Sequence, residues 1–291
     1  MQTFSPITEQ IIELALTEDL VAGDMTTDAI CDDGRRTSRG YLVAKADIVL
    51  CGQHVFEYVV EKVQNRAFGA FEPVTVEFLH PDGARLEKGT KIATFSGSTN
   101  ILLKAERTAL NFLQHMSGVA TQTHAMAQLL GPKIKLVNTR KVLAGMRELD
   151  HYAVQCGGGY SHRFNLGGGI MIKDNHIAAA GSITKAVSQC REFAPHTLKI
   201  EVEVTSLDEV REALAAGADI IMLDNMTHDD MAAAIELIAG RARTECSGNV
   251  DASNIRALAD LGVDFISSGA LTHSAPILDL SLKHLRLLDG K

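Results

Sequence analysis

The chain has 291 residues, 46% of them hydrophobic and 22% charged, and this length suggests about two domains or one large α/β barrel with an attachment. The 36 acidic residues outnumber the 28 basic ones, and the resulting net charge of −8 disfavours nucleic acid as the main partner. No apolar run approaches the roughly 18–20 residues of a membrane span. The polar N-terminal segment MQTFSPITEQ lacks the features of a signal peptide.

The five cysteines are scattered through the chain and include no CxxC pair. This spacing argues against a disulfide framework and against a zinc site. It is typical of a protein in the reducing cytoplasm, and the thiols are expected to be inert and buried. The five positions are Cys31, Cys51, Cys156, Cys190 and Cys246.

The N-terminal part of the chain mixes helical and β-type patterns without strict alternation, which predicts an α+β, sandwich-like domain over residues 1–115. The C-terminal segment 274–291 is a candidate to pack back on this domain. The predicted elements are a helix at Thr8–Leu20, strands within Gly40–Cys51 and Val74–Leu79, a helix over 54–63 and two short strands within 80–97.

The pattern changes at Asn100. A long helical pattern over Asn100–Leu130 is predicted to break near Ser117 and Gly118. A β/α alternation then continues almost to the end of the chain. It predicts parallel βαβ units, and therefore a barrel or a doubly wound sheet, over residues 116–273.

Six strands are predicted in this alternating region, with helices between them. The clearest helix is Leu207–Ala216: Ser206 and Glu209 fit a capping box at its start, and Gly217 is a stop signal at its end. The predicted strands are Ile134–Val137, Ile170–Ile172, Ile200–Val204, Ile220–Leu223, Arg243–Cys246 and Phe265–Ser267.

Nearly every predicted strand ends in a charged or small polar residue. In an α/β barrel the carboxyl ends of the strands carry the active site, and the last loops commonly bind phosphate at a helix N-terminus. Such residues are ordinary in any single loop, but six strand ends of this kind indicate a site. They are Asn138–Lys141, Lys173–His176, Glu203, Asp224-Asn225, Ser247-Gly248-Asn249 and Ser268-Gly269-Ala270.

A basic cluster lies within residues 138–176, beside the triple-glycine runs Gly157–Gly159 and Gly167–Gly169. A solvated charged face is the usual explanation for a single lysine or arginine. Here Lys141 and Lys173 flank apolar strand-like runs, and glycine lets a backbone approach an anion closely. The cluster is therefore interpreted as an anion-binding site. Its members are Arg140, Lys141, Arg147, His162, Arg163, Lys173 and His176.

The charges at the strand ends indicate the kind of ligand. Carboxylates such as Glu203 and Asp224 accept hydrogen bonds from ribose hydroxyls and can hold Mg²⁺. Arginines such as Arg140 and Arg163 suit bidentate carboxylate recognition, whereas lysine acts as a point charge. The mixture suggests a phosphorylated sugar that meets an anionic acceptor. Dehydrogenases, P-loop proteins and serine hydrolases fit poorly, because no strand is followed by GxGxxG and the chain has neither a P-loop nor GxSxG.

Eight sequence blocks occur in order along the chain, namely ERTALNFLQHMSGVAT (106–121), TRK (139–141), GGGYSHR (157–163), IKDNH (172–176), EVEV (201–204), IIMLDN (220–225), SGNV (247–250) and FISSGALTH (265–273). With these blocks the chain resembles the quinolinate phosphoribosyltransferase family over nearly its whole length. The resemblance implies an N-terminal α/β domain beside an incomplete parallel α/β barrel. It also implies Mg-dependent transfer of phosphoribosyl from phosphoribosyl pyrophosphate to quinolinate with decarboxylation, a step of NAD biosynthesis.

The resemblance assigns a substrate site and a dimer. The polar and basic residues that would bind quinolinate are Thr139, Arg140, His162 and Arg163. Arg107 would join them from the partner subunit of an obligate homodimer, in which one subunit's N-terminal region closes over the other's barrel.

The resemblance also assigns catalytic and phosphate-binding residues. The charged catalytic groups would be Lys141, Lys173, Glu203 and Asp224. The lysines would face the substrate carboxylate and the diphosphate, and the two carboxylates would hold the ribose hydroxyls with Mg²⁺. The residues that would bind the 5′-phosphate are Ser247, Gly248, Asn249, Ser268, Gly269 and Ala270, with His273 nearby.

The chain departs from the family pattern at four positions: Asn138 for aspartate, Val142 for threonine, Ala144 for proline and His151 for lysine. His151 matters most, because it replaces a permanent cation with a group that titrates near neutrality. We therefore expect substrate affinity to differ from the family's or to fall with rising pH.

Two alternative functions stay open from the sequence. The chain could be a phosphoribosyltransferase for another aromatic acid, such as nicotinate, or for a nucleobase, although a monocarboxylate would not need Arg107, Arg140 and Arg163 together. It could also be a non-catalytic, phosphate-binding paralogue, although such a protein need not keep all of Lys141, Lys173, Glu203 and Asp224.

Overall fold

The computed structural model describes residues 4–31, 36–67 and 71–288. They form two compact units. The first comprises the chain up to Gln122, Leu143–Gly157 and the chain from Ala275 onward, and the second comprises Thr123–Val142 and Gly158–Ser274. The boundaries expected from the sequence differ mainly at Leu143–Gly157, which belongs to the first unit.

Helices and strands are numbered in chain order. The strands are β1 (Thr37–Ala44), β2 (Ile48–Val49), β3 (Thr75–Phe78), β4 (Arg85–Leu86), β5 (Lys91–Ser98), β6 (Lys135–Val137), β7 (Ile170–Ile172), β8 (Ile200–Val204), β9 (Ile220–Asp224), β10 (Arg243–Ser247), β11 (Phe265–Ser267) and β12 (Leu280–Leu287). The helices are α1 (Pro6–Leu20), α2 (Met25–Ile30), α3 (Gln53–Arg66), α4 (Thr99–Ala127), α5 (Arg147–Cys156), α6 (Asp174–Ala180), α7 (Ile183–Phe193), α8 (Leu207–Ala215), α9 (His228–Ile238), α10 (Ile255–Asp260) and α11 (Ala270–His273). Among the helices of the described residues, none is long and apolar enough to cross a membrane.

The first unit is built on a four-stranded antiparallel sheet in the order β12-β1-β5-β3, with a small ribbon of β2 and β4. The C-terminal strand β12 pairs with β1, so that Leu280 lies opposite Ala44. Helix α3 contributes Phe56, whose ring stacks on Phe95 of β5 at a centroid distance of 6.4 Å and meets Phe78 of β3 edge-on at 5.8 Å. These buried aromatic contacts hold α3 against the sheet.

The predicted break in the long helix is wrong, because α4 runs without interruption through Ser117 and Gly118. The Ser117 hydroxyl accepts a hydrogen bond from the Cys51 amide at 3.1 Å and donates to the Cys51 carbonyl at 3.2 Å. A Cβ at Gly118 would lie 1.9 Å from the carbonyl oxygen of Pro276. Glycine is therefore required here by the close approach of another part of the chain, and it does not mark a helix end.

The second unit contains six parallel strands in the order β6-β11-β10-β9-β8-β7. Helices α6, α7, α8 and α9 pack side by side along the chain. In the described residues the strands at the two ends of this order, β6 and β7, do not pair with each other, so the barrel is not closed. The expected fold class, an N-terminal sheet domain plus an incomplete parallel α/β barrel, is confirmed.

Helix α8 begins and ends close to the predicted positions. The Ser206 hydroxyl accepts a hydrogen bond from the Glu209 amide at 3.3 Å. The reciprocal bond of the predicted capping box is shifted by one residue, because the Glu209 carboxylate accepts from the amide of Thr205 at 2.7 Å. Gly217 adopts a φ of +79°, as expected for a glycine that ends a helix.

Candidate active site

A cleft of about 510 Å³ opens at the carboxyl ends of the parallel strands, within the second unit. Its lining includes eleven of the residues predicted to form the site, contributed by the ends of β6, β7, β8, β9 and β10 and by the loop that contains His162. They are Thr139, Arg140, Lys141, His162, Arg163, Lys173, Glu203, Asp224, Ser247, Gly248 and Asn249.

The segment after β6 is fixed by its own hydrogen bonds. The Lys141 amide donates to the Thr139 hydroxyl at 3.0 Å, and the Lys141 carbonyl accepts from the Thr272 hydroxyl at 2.7 Å. These bonds hold the backbone while the side chains of Arg140 and Lys141 stay exposed. The lysine can therefore act as a positive charge in the cleft without being buried.

The loop that carries His162 and Arg163 is anchored to β6 and to the second triple-glycine run. The buried Asn138 side chain accepts a hydrogen bond from the His162 amide at 2.9 Å. The Arg163 guanidinium donates to the Gly169 carbonyl at 3.0 Å. Asn138 thus holds the backbone of the loop and Gly169 holds the guanidinium, so Arg163 is held in place before any ligand binds.

Two glutamates that the sequence analysis did not single out surround the His162 ring. Its Nε2 atom lies 3.1 Å from Glu201 and 3.8 Å from Glu245, and its Nδ1 atom accepts a hydrogen bond from the Arg163 amide at 2.7 Å. Burial lowers the pKa of His162, but the hydrogen bond and charge of Glu201 outweigh burial and raise it overall. Both ring nitrogens are thus engaged by the protein itself.

Glu201 and Glu245 are almost completely buried, with 4% and 3% of their surface exposed. Burial, followed by the charge of Glu201, raises the pKa of Glu245 to about 7. A signal for Glu201 was present in the sequence, because it is a carboxylate inside the largely apolar run IEVEV, whereas Glu245 lies in the polar run RTECS and gave no such signal. Charged side chains in that position are almost never fully buried without a partner.

The two guanidiniums of the cleft repel each other. Burial and the nearby charge of Arg140 lower the pKa of Arg163, and Glu201 only partly offsets them. The repulsion between two like charges that are held close together is reduced when an anion binds between them. The arrangement of Arg140 and Arg163 therefore suits a ligand with two carboxylates.

The cleft lining also contains carboxylates, one of which pairs with a lysine. The Lys173 ammonium contacts the Glu203 carboxylate. Asp224 at the end of β9 accepts a hydrogen bond from the Asn225 side chain at 2.7 Å. The register of the sheet places Ser247 of β10 directly beside Asp224, so the carboxylate and the start of the next loop are neighbours.

The loop after β10 has a backbone that only small residues permit. Gly248 adopts a φ of +103°, and a Cβ there would lie 2.3 Å from the Asn225 side-chain oxygen. The Asn249 amide group donates to the same oxygen at 3.3 Å. A tight turn of this kind brings backbone N–H groups close to a ligand, which suits phosphate.

The predicted second phosphate loop adjoins the cleft at Lys141. A Cβ at Gly269 would lie 3.0 Å from both Lys141 Cδ and His273 Nε2. The Ser268 hydroxyl donates to the Val250 carbonyl at 2.6 Å. The Ser268 hydroxyl is therefore bonded within the protein, and the predicted phosphate contact of Gly269 and Ala270 stays a prediction.

Two predicted functional residues lie in the first unit. Arg107 is exposed on α4. His151 lies on α5 and is 6% exposed. The expected effect of His151 on the pH dependence of substrate affinity stays a prediction.

The fold and the cleft together define a class: an open parallel α/β barrel with an anion-binding cleft at the carboxyl ends of its strands. Two protein-family models match the chain. The model for the quinolinate phosphoribosyl transferase N-terminal domain matches residues 24–117, and the model for the C-terminal domain of the same family matches residues 119–283. The chain belongs to the quinolinate phosphoribosyl transferase family, as the eight sequence blocks predicted.

Individual proteins agree with this assignment. The probable nicotinate-nucleotide pyrophosphorylase [carboxylating] of Bacillus subtilis is 40% identical over 267 residues, which cover 91% of this chain and 89% of that protein. Its counterpart in Synechocystis is 42% identical over 277 residues, which cover 93% of this chain and 90% of that protein. The crystal structure of NadC from Streptococcus pyogenes superimposes with a TM-score of 0.91 at 45% identity and covers 99% of this chain and 100% of that one.

Proposed function

We propose that this chain transfers phosphoribosyl from phosphoribosyl pyrophosphate to quinolinate, with loss of CO₂, and forms nicotinate mononucleotide and diphosphate. The observation that carries the proposal is the pair of mutually repelling guanidiniums, Arg140 and Arg163, in a cleft that also contains the Ser247–Asn249 turn. A dicarboxylate acceptor and a phosphorylated donor satisfy both features at once. The activity fits the names of the Bacillus subtilis and Synechocystis relatives.

In the proposed acceptor site, Arg140 and Arg163 bind the two carboxylates of quinolinate. Planar guanidiniums bind carboxylates with two parallel hydrogen bonds. Thr139 and His162 complete the wall, and Lys141 adds a further positive charge. A monocarboxylate such as nicotinate would leave one guanidinium without a partner, which costs affinity for the wrong acceptor.

In the proposed donor site, Glu203 and Asp224 accept hydrogen bonds from the ribose hydroxyls. The 5′-phosphate lies on the Ser247–Asn249 turn and on the backbone of Gly269 and Ala270, with His273 nearby. Lys173, which Glu203 holds in place, faces the diphosphate. The diphosphate thus has a cationic neighbour, and the 5′-phosphate has backbone groups of two loops beside it.

The family implies Mg²⁺, and the donor set fits it. Glu203 and Asp224 offer carboxylate oxygens on the adjacent strands β8 and β9, and Mg²⁺ is commonly held by one or two carboxylates together with substrate phosphates. When bound, Mg²⁺ would neutralise part of the diphosphate charge.

Catalysis then depends on positioning and charge. The pyridine nitrogen of the fixed acceptor attacks C1′ of the ribose as diphosphate leaves. Glu203 and Asp224 stabilise the positive charge that builds on the ribose, and Lys141 and Lys173 stabilise the negative charge of the leaving group. The resulting pyridinium withdraws electrons, so the carboxylate at position 2 leaves as CO₂ and a proton takes its place. No covalent intermediate with the enzyme is required.

The proposal includes a homodimer, in which Arg107 of one subunit completes the acceptor site of the other. The exposed position of Arg107 on α4 supports this role, since the side chain is accessible to a second subunit.

A cytoplasmic location, inferred from the cysteine spacing, is also part of the proposal. All five cysteines are free thiols, which fits a reducing compartment.

The experiment is a measurement of CO₂ release from quinolinate labelled in the carboxylate at position 2. The mixture contains phosphoribosyl pyrophosphate and Mg²⁺, and a parallel mixture contains nicotinate as acceptor. We expect release that requires every component, stops when a chelator removes Mg²⁺, and has no counterpart in nucleotide formation from nicotinate.

The other outcomes decide between the alternatives. Nucleotide formation from nicotinate without CO₂ release from quinolinate would assign the chain to a different aromatic acid. Binding of phosphoribosyl pyrophosphate without turnover of either acceptor would identify a non-catalytic paralogue.

A further inference from the structure

A second cluster of chemically reactive side chains lies in the first unit, outside the cleft. One sulfur atom each from Cys51 and Cys156 and one carboxylate oxygen of Asp82 all lie within 4.8 Å of one another. Cys51 follows β2, Asp82 lies in the loop before β4, and Cys156 is the last residue of α5. The three residues are far apart in sequence, which is why the cysteine spacing gave no sign of a metal site.

The backbone of Cys51 is fixed on both sides. Its amide and its carbonyl are both bonded to the buried Ser117 hydroxyl of α4, at 3.1 and 3.2 Å. Cys51 is 0% exposed, whereas Cys156 is half-buried. One sulfur therefore belongs to the core, and the other lies where solvent can supply a further ligand.

Asp82 is oriented by three different donors. The amides of Gly52 and Gln53 donate to its carboxylate at 3.1 and 3.4 Å, and the Tyr152 hydroxyl donates to it at 2.9 Å. Hydrogen bonds of this kind to a carboxylate fix its direction and are typical of the groups that support a metal ligand. Asp82 is thus held beside the two sulfurs by the fold.

The cluster creates a negative electrostatic environment. Asp82 supplies a carboxylate, and Cys51 and Cys156 supply two thiols that can become thiolates at the same place. Cys156 also lies at the C-terminus of α5, where the helix dipole places partial negative charge. A cation is the ligand that these groups favour.

We propose that Cys51, Cys156 and Asp82 bind a thiophilic divalent cation of the Zn²⁺ type, with water as the fourth ligand and with Tyr152 as the residue that positions Asp82. Two thiolates and one carboxylate are a donor set that Zn²⁺ accepts in tetrahedral geometry, with ligand atoms roughly 3.5–3.8 Å apart. The ligand atoms, which lie within 4.8 Å of one another, would move closer together by up to about 1 Å on binding. Each thiol gives up its proton to solvent when the metal binds.

A disulfide between Cys51 and Cys156 is the competing explanation of the short distance. A disulfide would use the two sulfurs but not the carboxylate oxygen of Asp82, which lies within 4.8 Å of both. The presence of an oriented oxygen donor therefore favours the cation.

The test uses Co²⁺ as a spectroscopic substitute for Zn²⁺, added without oxygen to the full-length, reduced protein after treatment with a chelator. Thiolate coordination produces a charge-transfer absorption in the near ultraviolet, and this signal does not depend on enzymatic activity. We expect the absorption to saturate at one Co²⁺ per chain and to be displaced by Zn²⁺.

Variants locate the site. The absorption should be lost in C156S and in C51S, while C190S, which alters a half-buried cysteine of the second unit, should behave like the wild type. Y152F, which keeps the ring and removes only the hydroxyl, should bind Co²⁺ about 10-fold more weakly.

Two results would overturn the proposal. They are the absence of thiolate absorption in the wild-type protein at excess Co²⁺ and an absorption that persists in C156S. Because wild-type protein and C156S suffice for these readings, the test does not depend on the folding of C51S.

Discussion

At the scale of single residues, the cleft is organised around cations that the fold holds close together. Arg163 is half-buried, bonded to the Gly169 carbonyl and repelled by Arg140. Its position is fixed by Asn138 through the neighbouring His162 amide. A guanidinium that is already oriented loses little entropy when it binds a carboxylate, so it contributes strongly to affinity.

We expect Arg163→Ala to weaken quinolinate recognition by about 2–5 kcal/mol, because one buried carboxylate loses its partner. This corresponds to a rise of the KM for quinolinate of roughly 30-fold or more. Steady-state kinetics with quinolinate as the varied substrate measures the effect. The control is Arg211→Ala, which removes an exposed arginine of the same unit that pairs with Asp208 on its own helix. Near-normal turnover in Arg163→Ala would remove Arg163 from the site.

Glu245 makes the stability of the protein depend on pH. Burial and the charge of Glu201 raise its pKa to about 7, so the folded protein holds this proton more tightly than the unfolded chain. The free energy of unfolding contributed by Glu245 is therefore fully present below the unfolded pKa of ~4.3, and it is lost as the pH rises through about 7. The loss is about 3–4 kcal/mol if no other group compensates.

Glu245→Gln should remove this dependence. Relative to the wild type, the variant should become more stable as the pH rises from about 5 to about 8, because glutamine carries no charge to bury. Chemical denaturation at both values measures the difference. Glu192→Gln alters an exposed glutamate of α7 and is the control. An equal difference at both pH values would show that Glu245 keeps an ordinary pKa in the folded protein.

At the scale of elements, helix α4 shows how a local pattern can mislead. A serine followed by a glycine often interrupts a helix. Helix α4 nevertheless continues through Ser117 and Gly118, because both residues make tertiary contacts. Ser117 holds Cys51, and Gly118 allows the backbone at Pro276 to approach. The residues that favour a break in isolation are the ones that the packed helix requires.

Gly118→Ala separates the two explanations. Helix propensity alone predicts a gain of about 1 kcal/mol from alanine. The structure predicts the opposite, a loss of roughly 2 kcal/mol or more in the free energy of unfolding, because the new Cβ would lie 1.9 Å from a carbonyl oxygen. Urea denaturation measures it. Gly131→Ala is the control, since a Cβ there meets nothing within 4 Å, and a stabilised Gly118→Ala would contradict the packing argument.

At the scale of the whole molecule, the proposed homodimer places Arg107 of one subunit in the acceptor site of the other. Each acceptor site then combines Arg163 of one subunit with Arg107 of the other, so Arg107→Ala and Arg163→Ala remove contributions of different subunits to the same site. A heterodimer of the two variants would then contain one doubly altered site and one intact site.

We expect each variant alone to be nearly inactive and a co-expressed mixture to recover roughly a quarter of wild-type activity. This fraction follows because half of randomly formed dimers are mixed and each has one intact site. Turnover of the purified mixture, with the two chains carrying different affinity tags, measures it. No recovery in heterodimers isolated through both tags would show that Arg107 does not act across an interface.

The residues of the cleft could be predicted because parallel strands are short apolar runs that end in polar residues, and this pattern is local. The predicted strands Ile170–Ile172, Ile200–Val204 and Phe265–Ser267 agree with β7, β8 and β11 in both bounds. The predicted strand ends at Lys173 and Asp224 both line the cleft. Only their roles depend on the resemblance to a family.

The sequence by itself determined the alternation of strands and helices over residues 134–267, the polar character of the strand ends and the family. Only the tertiary structure decided that Glu201 and Glu245 converge on His162 and that Cys51, Asp82 and Cys156 meet. The physical reason is distance along the chain. Hydrophobic periodicity and turn preferences act between near neighbours, whereas burial, ion pairing and close backbone approach depend on residues that only folding brings together.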